Sequence, residues 1–315
     1  MKRIVLVAAL VLATSASAEQ TGGTWVALVT AEQQNELVAV ELSSGKVVRR
    51  VSLPADPQNV AASWRMTAVV STRAGAVTLI DQQGRVRKVF RGLDDPHIVA
   101  VNRGKDLAYV TADGSGELIV IDLVSRRIVA RTFVGKGAHH MALRPSGGHR
   151  LWIALGERAS TIAIVDVSRS AQPRLLRHFS PGFIAHDLSF SPDGRKVWIT
   201  SGVGELVHVV DALTGKQAFT VHAGAAPQHV AFTHGSGFVT SGYGSQIVKV
   251  NPRNGRIVAS ARTPYGSFNL ATLDRTVVTT SLLNGRVTEF DLRLQRVRTV
   301  RAASAARAVA IALWP

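Results

Sequence analysis

Half of the histidines in this sequence fall in one recurring context. Seven four-residue segments can be aligned along the chain, and most of them end in Ala. Five of the ten histidines occupy the first two positions of these segments, namely His97, His139, His140, His186 and His229. Asn59, Asp187 and Asn269 share that window with them. Imidazole, carboxylate and amide groups recurring at matched positions indicate one site built from several repeats.

A cluster of imidazoles allows three interpretations. Neutral rings could bind copper or zinc through their unprotonated nitrogens. Protonated rings could hold an anionic ligand, helped by Arg73, Arg158 and Arg307. The same side chains could instead only cap strand starts and bind channel water.

The spacing of the histidines matches no fixed metal motif, so it leaves these three interpretations open. We predict a ligand-binding site and assign no metal ligand from the sequence. The predicted site residues are Asn59, Arg73, His97, His139, His140, Arg158, His186, Asp187, His229 and Asn269.

Motifs for other chemistry are absent from the sequence. The chain has no cysteine, which excludes disulfides, a thiolate nucleophile and any zinc or iron–sulfur site that needs Cys. It has no P-loop, HExxH or GxSxG motif, and the Gly-x-Gly segments at 202–204 and 242–244 are typical of turns. We therefore predict no catalytic residue and no cofactor, and a nucleophilic hydrolase is disfavoured.

A repeat of about 42 residues organises the chain and must position these side chains. Strand-like segments recur at spacings of 40 to 45 residues, each ending in an acid or Asn, at Glu41, Asp81, Asp122, Asp166, Asp211, Asn251 and Asp291. Each unit contains three further short strand-like segments with turn residues between them. Seven such units predict an all-β fold, a seven-bladed β-propeller of four-stranded blades. We expect the acids to bond their own turns, and Trp152 and Trp198 to lie in blade cores.

The two ends of the chain predict how the ring closes. TWVALVT, from Thr24 to Thr30, matches a second strand, whereas RAVAIAL, from Arg307 to Leu313, matches a first strand. The C-terminal strand should therefore join the N-terminal blade, whose other strands come from residues 24–53, and so remove two open sheet edges. First strands line a propeller channel, so their polar starts should meet at one mouth, together with the loops between second and third strands.

Two longer segments resemble a known family. AYVTADGSGELIVIDL (108–123) and FSPDGRKVWITSGVGELVHVVDALTGK (190–216) resemble the YVTN or YncE-like secreted β-propeller repeats. The resemblance covers the chain after residue 18, more weakly over 251–263. It implies an exported seven-bladed propeller, in a family often without assigned activity. Such repeats specify the blade and say little about function.

The amino-terminal segment has the features of an export signal. Lys2 and Arg3 precede an apolar run from Ile4 to Ala13, and Ala16-Ser17-Ala18 forms a small-residue cleavage pattern. We predict a signal peptide over 1–18, a single propeller domain over 19–315, and a location outside the cytoplasm, periplasmic or secreted. An apolar run of this length is too short to cross a bilayer, so no transmembrane segment is predicted.

The charge balance is strongly basic, with 37 Lys and Arg against 21 Asp and Glu. The basic residues are spread along predicted outer strands, which favours a solvated face, and binding of an anionic polymer through this Arg-rich rim is an alternative.

The functional hypothesis is a monomeric, non-catalytic binding or scaffold module whose unknown protein or small ligand binds at the His-rich mouth. The main alternative is a metal- or ligand-dependent enzyme, a redox centre or a lyase, that uses the same histidines.

Overall fold

The computed structural model describes residues 23–145 and 149–315, and every helix or strand assigned in these ranges is a β-strand. Seven antiparallel four-stranded sheets form the blades of a ring. The predicted all-β class and seven-bladed propeller are therefore confirmed. The predicted signal peptide at residues 1–18 lies outside the described residues.

The blades follow one another along the chain, and each runs from an inner strand at the channel to an outer strand at the rim. Blade 1 comprises β28 (Ala306–Trp314), β1 (Thr24–Ala31), β2 (Glu36–Glu41) and β3 (Val47–Ser52). Blade 2 comprises β4 (Pro57–Ala62), β5 (Met66–Ser71), β6 (Ala76–Asp81) and β7 (Val86–Phe90). Blade 3 comprises β8 (Pro96–Asn102), β9 (Leu107–Ala112), β10 (Glu117–Asp122) and β11 (Arg127–Phe133). Blade 4 comprises β12 (Ala138–Leu143), β13 (Arg150–Leu155), β14 (Ile162–Asp166) and β15 (Arg174–Phe179).

The remaining three blades follow the same order. Blade 5 comprises β16 (Leu188–Phe190), β17 (Lys196–Thr200), β18 (Leu206–Asp211) and β19 (Gln217–His222). Blade 6 comprises β20 (His229–Thr233), β21 (Ser236–Ser241), β22 (Gln246–Val250) and β23 (Ile257–Arg262). Blade 7 comprises β24 (Ser267–Leu273), β25 (Thr276–Ser281), β26 (Arg286–Phe290) and β27 (Arg296–Arg301).

Strand burial follows from the position of each strand in its blade. The middle strand β10 (ELIVID) is buried along both faces, because a neighbouring blade packs on each side of it. The outer strand β11 (RIVARTF) alternates exposed and half-buried residues, as an edge strand in contact with water should. Trp152 and Trp198 are almost completely buried, which confirms their predicted place in the blade cores.

The acids at the ends of third strands hold their own turns. Oδ1 of Asp211 accepts hydrogen bonds from the backbone amides of Leu213 and Thr214, at 3.0 and 2.8 Å. Asp122 accepts one from the Ser125 amide at 2.6 Å. At these residues the predicted turn role is confirmed, so these repeated carboxylates stabilise the turns that follow the third strands.

The C-terminal strand closes the ring. β28 pairs antiparallel with β1, in a register that places Thr24 opposite Trp314 and Val29 opposite Val309. Each inner strand also contacts the inner strands of both adjacent blades, so the contacts run all the way round the channel. The predicted closure is confirmed. Within the described ranges, no helix has the length and apolar character needed to span a membrane.

Threonine side chains link successive blades close to the channel. Thr111 Oγ1 in β9 donates a hydrogen bond to the backbone carbonyl of His139 at 2.7 Å. The corresponding residues Thr200 and Thr280 donate to the carbonyls of Gln228 and Arg307, at 3.1 and 2.8 Å. In each case the second strand of one blade holds the start of the next inner strand, where the predicted site residues lie.

Candidate functional site at the channel mouth

The starts of the inner strands surround one cavity of about 370 Å³. Seven of the ten predicted site residues line it, namely Asn59, His97, His139, His140, His186, His229 and Asn269. Other lining residues include Gln58, Glu157, Gln228, Tyr243, Phe268 and Arg307. The five histidines come from blades 3, 4, 5 and 6, so the structure brings residues from four repeats to one place.

A β-bulge explains how two consecutive histidines reach the same cavity. In a regular strand His139 and His140 would point to opposite faces of the sheet. The register between β12 and β13 shifts between Ala138 and Met141, so the extra residue interrupts this alternation. The inner strands β4, β8 and β24 also carry register shifts at their starts.

His97, His139 and His140 form a compact cluster. The ring of His97 stacks on that of His139, with the centroids 3.7 Å apart. The centroid of the His140 ring lies 5.3 Å from that of His97 and 4.8 Å from that of His139. The ring of His186 adjoins the cluster, 4.5 Å from that of His140.

Two carboxylates contact this cluster from behind. Nδ1 of His139 lies 2.6 Å from Oδ2 of Asp113, and Nδ1 of His140 lies 3.1 Å from Oδ1 of Asp187. A neutral imidazole that donates from Nδ1 keeps an unprotonated Nε2. Both carboxylates therefore favour the tautomer in which Nε2 can accept a hydrogen bond or bind a metal ion.

Asp187 is shared between two histidines. It is buried behind the cavity lining, and its Oδ2 lies 2.6 Å from Nδ1 of His229. Oδ2 has no hydrogen-bond partner of standard geometry among the described residues, so this contact is an ion pair rather than an aligned hydrogen bond. The Asp187 backbone amide also donates to Thr200 Oγ1 at 3.0 Å, which ties the carboxylate to the blade.

The environment gives the histidines opposite charge preferences. Burial, and then the nearby His140 and His139 rings, hold the pKa of His97 far below its usual range. Burial likewise lowers the pKa of His140 to about 4, although Asp187 opposes the shift. At neutral pH both rings are uncharged. The protonated, anion-holding interpretation is therefore disfavoured for His97 and His140.

His229 differs because its carboxylate partner dominates. Burial would lower the pKa of His229, but the negative charge of Asp187 outweighs it and raises that pKa. Burial would also raise the pKa of Asp187, but the charge of His229 and the hydrogen bond from His140 hold it well below its usual range. The pair is therefore charged beside the uncharged rings of His97 and His140.

Three predicted residues do not line the cavity: Asp187 lies behind the lining, and the other two are arginines. Arg73 and Arg158 are exposed on the loops between second and third strands and do not line it. Arg73 joins the local structure through its backbone amide, which donates to Oδ2 of Asp56 at 3.2 Å. Arg307 is the arginine that lines the cavity, and it pairs with Glu32 at 2.7 Å.

The two asparagines hold neighbouring inner strands. Oδ1 of Asn59 accepts a hydrogen bond from the Val99 amide at 3.0 Å, and Nδ2 of Asn269 donates to the Arg307 carbonyl at 3.1 Å. Their amide groups thus fasten one blade to the next while still lining the cavity. These contacts support the geometry of the mouth as well as its polarity.

Glycines in the loops between second and third strands permit close approach to the mouth. Gly202 has a φ of +70°, and a Cβ there would lie 2.8 Å from Cβ of His186. At Gly242 a Cβ would overlap the ring of Phe268. Both Gly-x-Gly segments therefore act as tight turns packed against inner-strand residues, as predicted. His186 Nδ1 also lies 3.1 Å from the Glu157 carbonyl of such a loop.

The cavity has an aromatic wall beside its histidines. Tyr243 and Phe268, in blades 6 and 7, have ring centroids 4.9 Å apart and both line it. The sequence places Asp113 and Tyr243 in loops at this mouth but does not mark them as site residues. Their positions between second and third strands are the only signal that could have found them.

Comparison with known proteins identifies the fold alone. No family matches the chain, and no curated protein matches it. A functionally unknown protein from Desulfotomaculum acetoxidans is 14% identical, with a TM-score of 0.78, covering 91% of this chain and 98% of that one. Apo AztD from Citrobacter koseri is 11% identical, with a TM-score of 0.73, covering 92% and 98%. The dihydro-heme d1 dehydrogenase NirN, in complex with DHE, is 15% identical, with a TM-score of 0.63, covering 88% and 64%.

Proposed function

We propose that this protein is a non-catalytic binding module that takes a small ligand in the cavity at its channel mouth. The observation that carries the proposal is the convergence of five histidines from four blades on one cavity of about 370 Å³. A concave site with a few convergent polar groups and an aromatic wall is the usual composition of a small-molecule site.

The propeller does not need histidine at these positions. The matching inner-strand positions of other blades hold Gln58, Asn59, Phe268 and Ala308 without loss of the blade. Burying imidazoles also costs free energy unless they are paired, and here Asp113 and Asp187 meet that need. An arrangement that is costly and dispensable for packing supports a role in binding.

The lining residues support binding rather than nucleophilic catalysis. Among the described residues that line the cavity there is no Ser, Thr, Cys or Lys side chain. His139 and His140 contact carboxylates through Nδ1, so Nε2 of each ring could accept a proton, but no hydroxyl, thiol or amine of those residue types lines the cavity for it to activate. The proposal therefore needs no reaction, only a ligand.

The wider setting is part of the same proposal. The repeat segments support kinship with the YVTN or YncE-like propellers, and the sequence of residues 1–18 supports export from the cytoplasm. A closed ring without an open inner edge suits a monomer, with the ligand or a partner protein approaching the mouth.

A crystallographic fragment screen of chelator-treated protein tests the proposal without knowing the ligand. The probes are small carboxylates, heterocycles and sugars, soaked into crystals of the wild type and of the H186A/Y243A variant. We expect the bound fragments to concentrate in the mouth cavity of the wild type and to be lost from it in the variant. An H222A variant, changed at an exposed outer-strand histidine, is the matched control. Fragments scattered elsewhere, or none at the mouth, would overturn the proposal.

A further inference from the structure

We infer that His97, His139 and His140 form a binding site for a divalent transition-metal ion of the zinc or copper class. Asp113 and Asp187 position two of the three ligand rings. This inference rests on the proposed function, because it names a ligand class for the same cavity. From the sequence alone, metal binding is one of three open interpretations.

The geometry of the three rings is close to that of a bound site. One ring nitrogen from each histidine lies within 4.8 Å of the others, so some point is at most about 2.8 Å from all three. Metal–imidazole bonds to zinc are about 2.0–2.1 Å long. Each ring therefore needs to move inward by less than about 1 Å, which ordinary side-chain rotation supplies.

The carboxylates provide an independent observation. In metal sites a ligand histidine almost always donates its other ring N–H to a carboxylate or carbonyl, which fixes the tautomer and orients the ring. His139 and His140 each meet a different carboxylate through Nδ1, at 2.6 and 3.1 Å. The nitrogen left for a metal is then Nε2 in both.

The donor set selects the class of metal. Three imidazoles suit zinc, copper and nickel, whereas calcium and magnesium require oxygen ligands. The chain contains no cysteine, so soft thiolate ligation is excluded. Three protein ligands leave a coordination position open, and the cluster lines the cavity, so a ligand entering the mouth can reach the metal. His186, whose ring adjoins that of His140, is the nearest further imidazole.

Calorimetry tests the site directly. The protein is prepared without a polyhistidine tag, stripped with chelator and titrated with Zn²⁺ and, separately, Cu²⁺. We expect one ion per chain, with affinity reduced at least about 100-fold in H97A and H140A. The control is H234A, because His234 also contacts a carboxylate, Asp274, but is exposed and outside the cavity. Its affinity should equal that of the wild type.

A positioning role for Asp113 needs a separate readout. D113N should weaken metal binding about 10- to 100-fold while the stoichiometry stays at one, because the ring is held less firmly. X-ray absorption of the zinc-loaded wild type should show three imidazole nitrogens at about 2.0–2.1 Å. This measurement on the wild type decides the inference even where a variant fails to fold.

The outcomes separate this inference from the proposed function. Unchanged affinity in H97A and H140A, or zinc bound by fewer than three imidazoles, would overturn the metal site. Fragments bound in the cavity of a protein that binds no metal would leave the proposed function standing and defeat only the metal site. A cavity that takes neither fragments nor metal would defeat both.

Discussion

Thr111 in blade 3 donates a hydrogen bond from its hydroxyl to the backbone carbonyl of His139 in blade 4, at 2.7 Å. The same Oγ1 accepts a hydrogen bond from the Ile98 amide at 3.1 Å. One buried side chain thus joins the inner strands β8 and β12, from which all three clustered histidines project. The stability of the ring and the geometry of the mouth are coupled at this residue.

We predict that T111V destabilises the protein by about 1–3 kcal/mol, because a buried carbonyl and a half-buried amide lose their shared partner. Valine has nearly the same shape, so packing changes little. Chemical denaturation measures the effect. The T111S variant retains the hydroxyl and should recover most of the loss, whereas a T111V variant as stable as the wild type would contradict the role of the hydrogen bonds.

We predict that a protein lacking residues 306–315 no longer shows the cooperative thermal unfolding transition that the full chain shows at its melting temperature. The deletion takes away all of β28 and leaves the inner edge of β1 unpaired. Several buried side chains at about 1.5–3 kcal/mol each exceed the net stability of a typical domain. Calorimetry is the measurement, and deletion of the exposed Pro315 alone is the control. A truncated chain that melts like the parent would contradict the closure.

The buried histidines should make stability fall on mild acidification. The folded pKa values of His97 and His140 lie below the ordinary value of 6.5, so between pH 6.5 and 5 the unfolded chain binds protons that the folded chain does not. Each such proton lowers the free energy of unfolding by about 1.4 kcal/mol per pH unit. The groups facing His97 are His139, His140, His186 and Arg307.

The variant H97N should reduce this slope by about one proton in metal-free protein. Guanidinium denaturation at several pH values between 6.5 and 5 measures it. H222N, changed at an exposed histidine outside the cavity, should leave the slope unchanged. A wild type whose stability is flat, or rises, over this pH range would contradict the prediction.

D187N should lower the pKa of His229. Asp187 is what raises that pKa, and without its charge the effect of burial remains and acts in the opposite direction. Stability carried by the charged pair is present below pH 6.5 and is lost as pH rises through the folded pKa of His229, so the variant should lose most below pH 6.5. Nuclear magnetic resonance titration of the ring protons measures the shift. D274N removes the carboxylate beside His234, outside the cavity, and should not change His229.

Binding of the Arg-rich rim to a polyanion should fall steeply with salt. Arg298 forms an ion pair with Glu289 at 2.9 Å and Arg296 bonds the Arg262 carbonyl, so part of this charge is already used within the fold. We predict weak binding to heparin at low salt that is nearly lost at physiological salt through counterion release. Replacing four arginines with glutamine should weaken it further: Arg293, Arg296, Arg298 and Arg301.

Retention on a heparin column over a salt gradient measures this effect. The matched control replaces four basic residues in and around β7 of blade 2: Arg85, Arg87, Lys88 and Arg91. An equal loss of heparin retention in both variants would mean that heparin responds to the total positive charge of the protein and not to the arginines of blade 7 in particular. Retention that does not depend on salt would exclude the electrostatic interpretation.

The fold was predictable because every blade repeats the same local signals. Acids at the ends of third strands, such as Asp122 and Asp211, mark the period, and each also bonds its own turn. The closure followed because the segment at Thr24 has the character of a second strand and the segment at Arg307 that of a first strand. Local preference and ring topology agree, so the pattern alone was sufficient.

The site was only partly predictable, because side-chain direction depends on register. Alignment of the inner strands grouped the histidines. The bulge that brings both His139 and His140 to the cavity could not be recognised from the alternation of polar and apolar residues. Arg73 and Arg158 lie on loops of the expected kind but remain exposed. Asp113 meets His139 across 26 residues of sequence, a pairing that only the packed blades create.

The pairing of β1 with β28 also determines the order in which parts of the ring can fold. β1 cannot pair along its inner edge until β28 has been synthesised, since Thr24 pairs with Trp314 far along the chain. Throughout synthesis of the intervening blades, β1 presents an unpaired edge that another strand could occupy. This edge is therefore open to association with other copies until β28 pairs with it, and closure should follow the folding of the intervening blades.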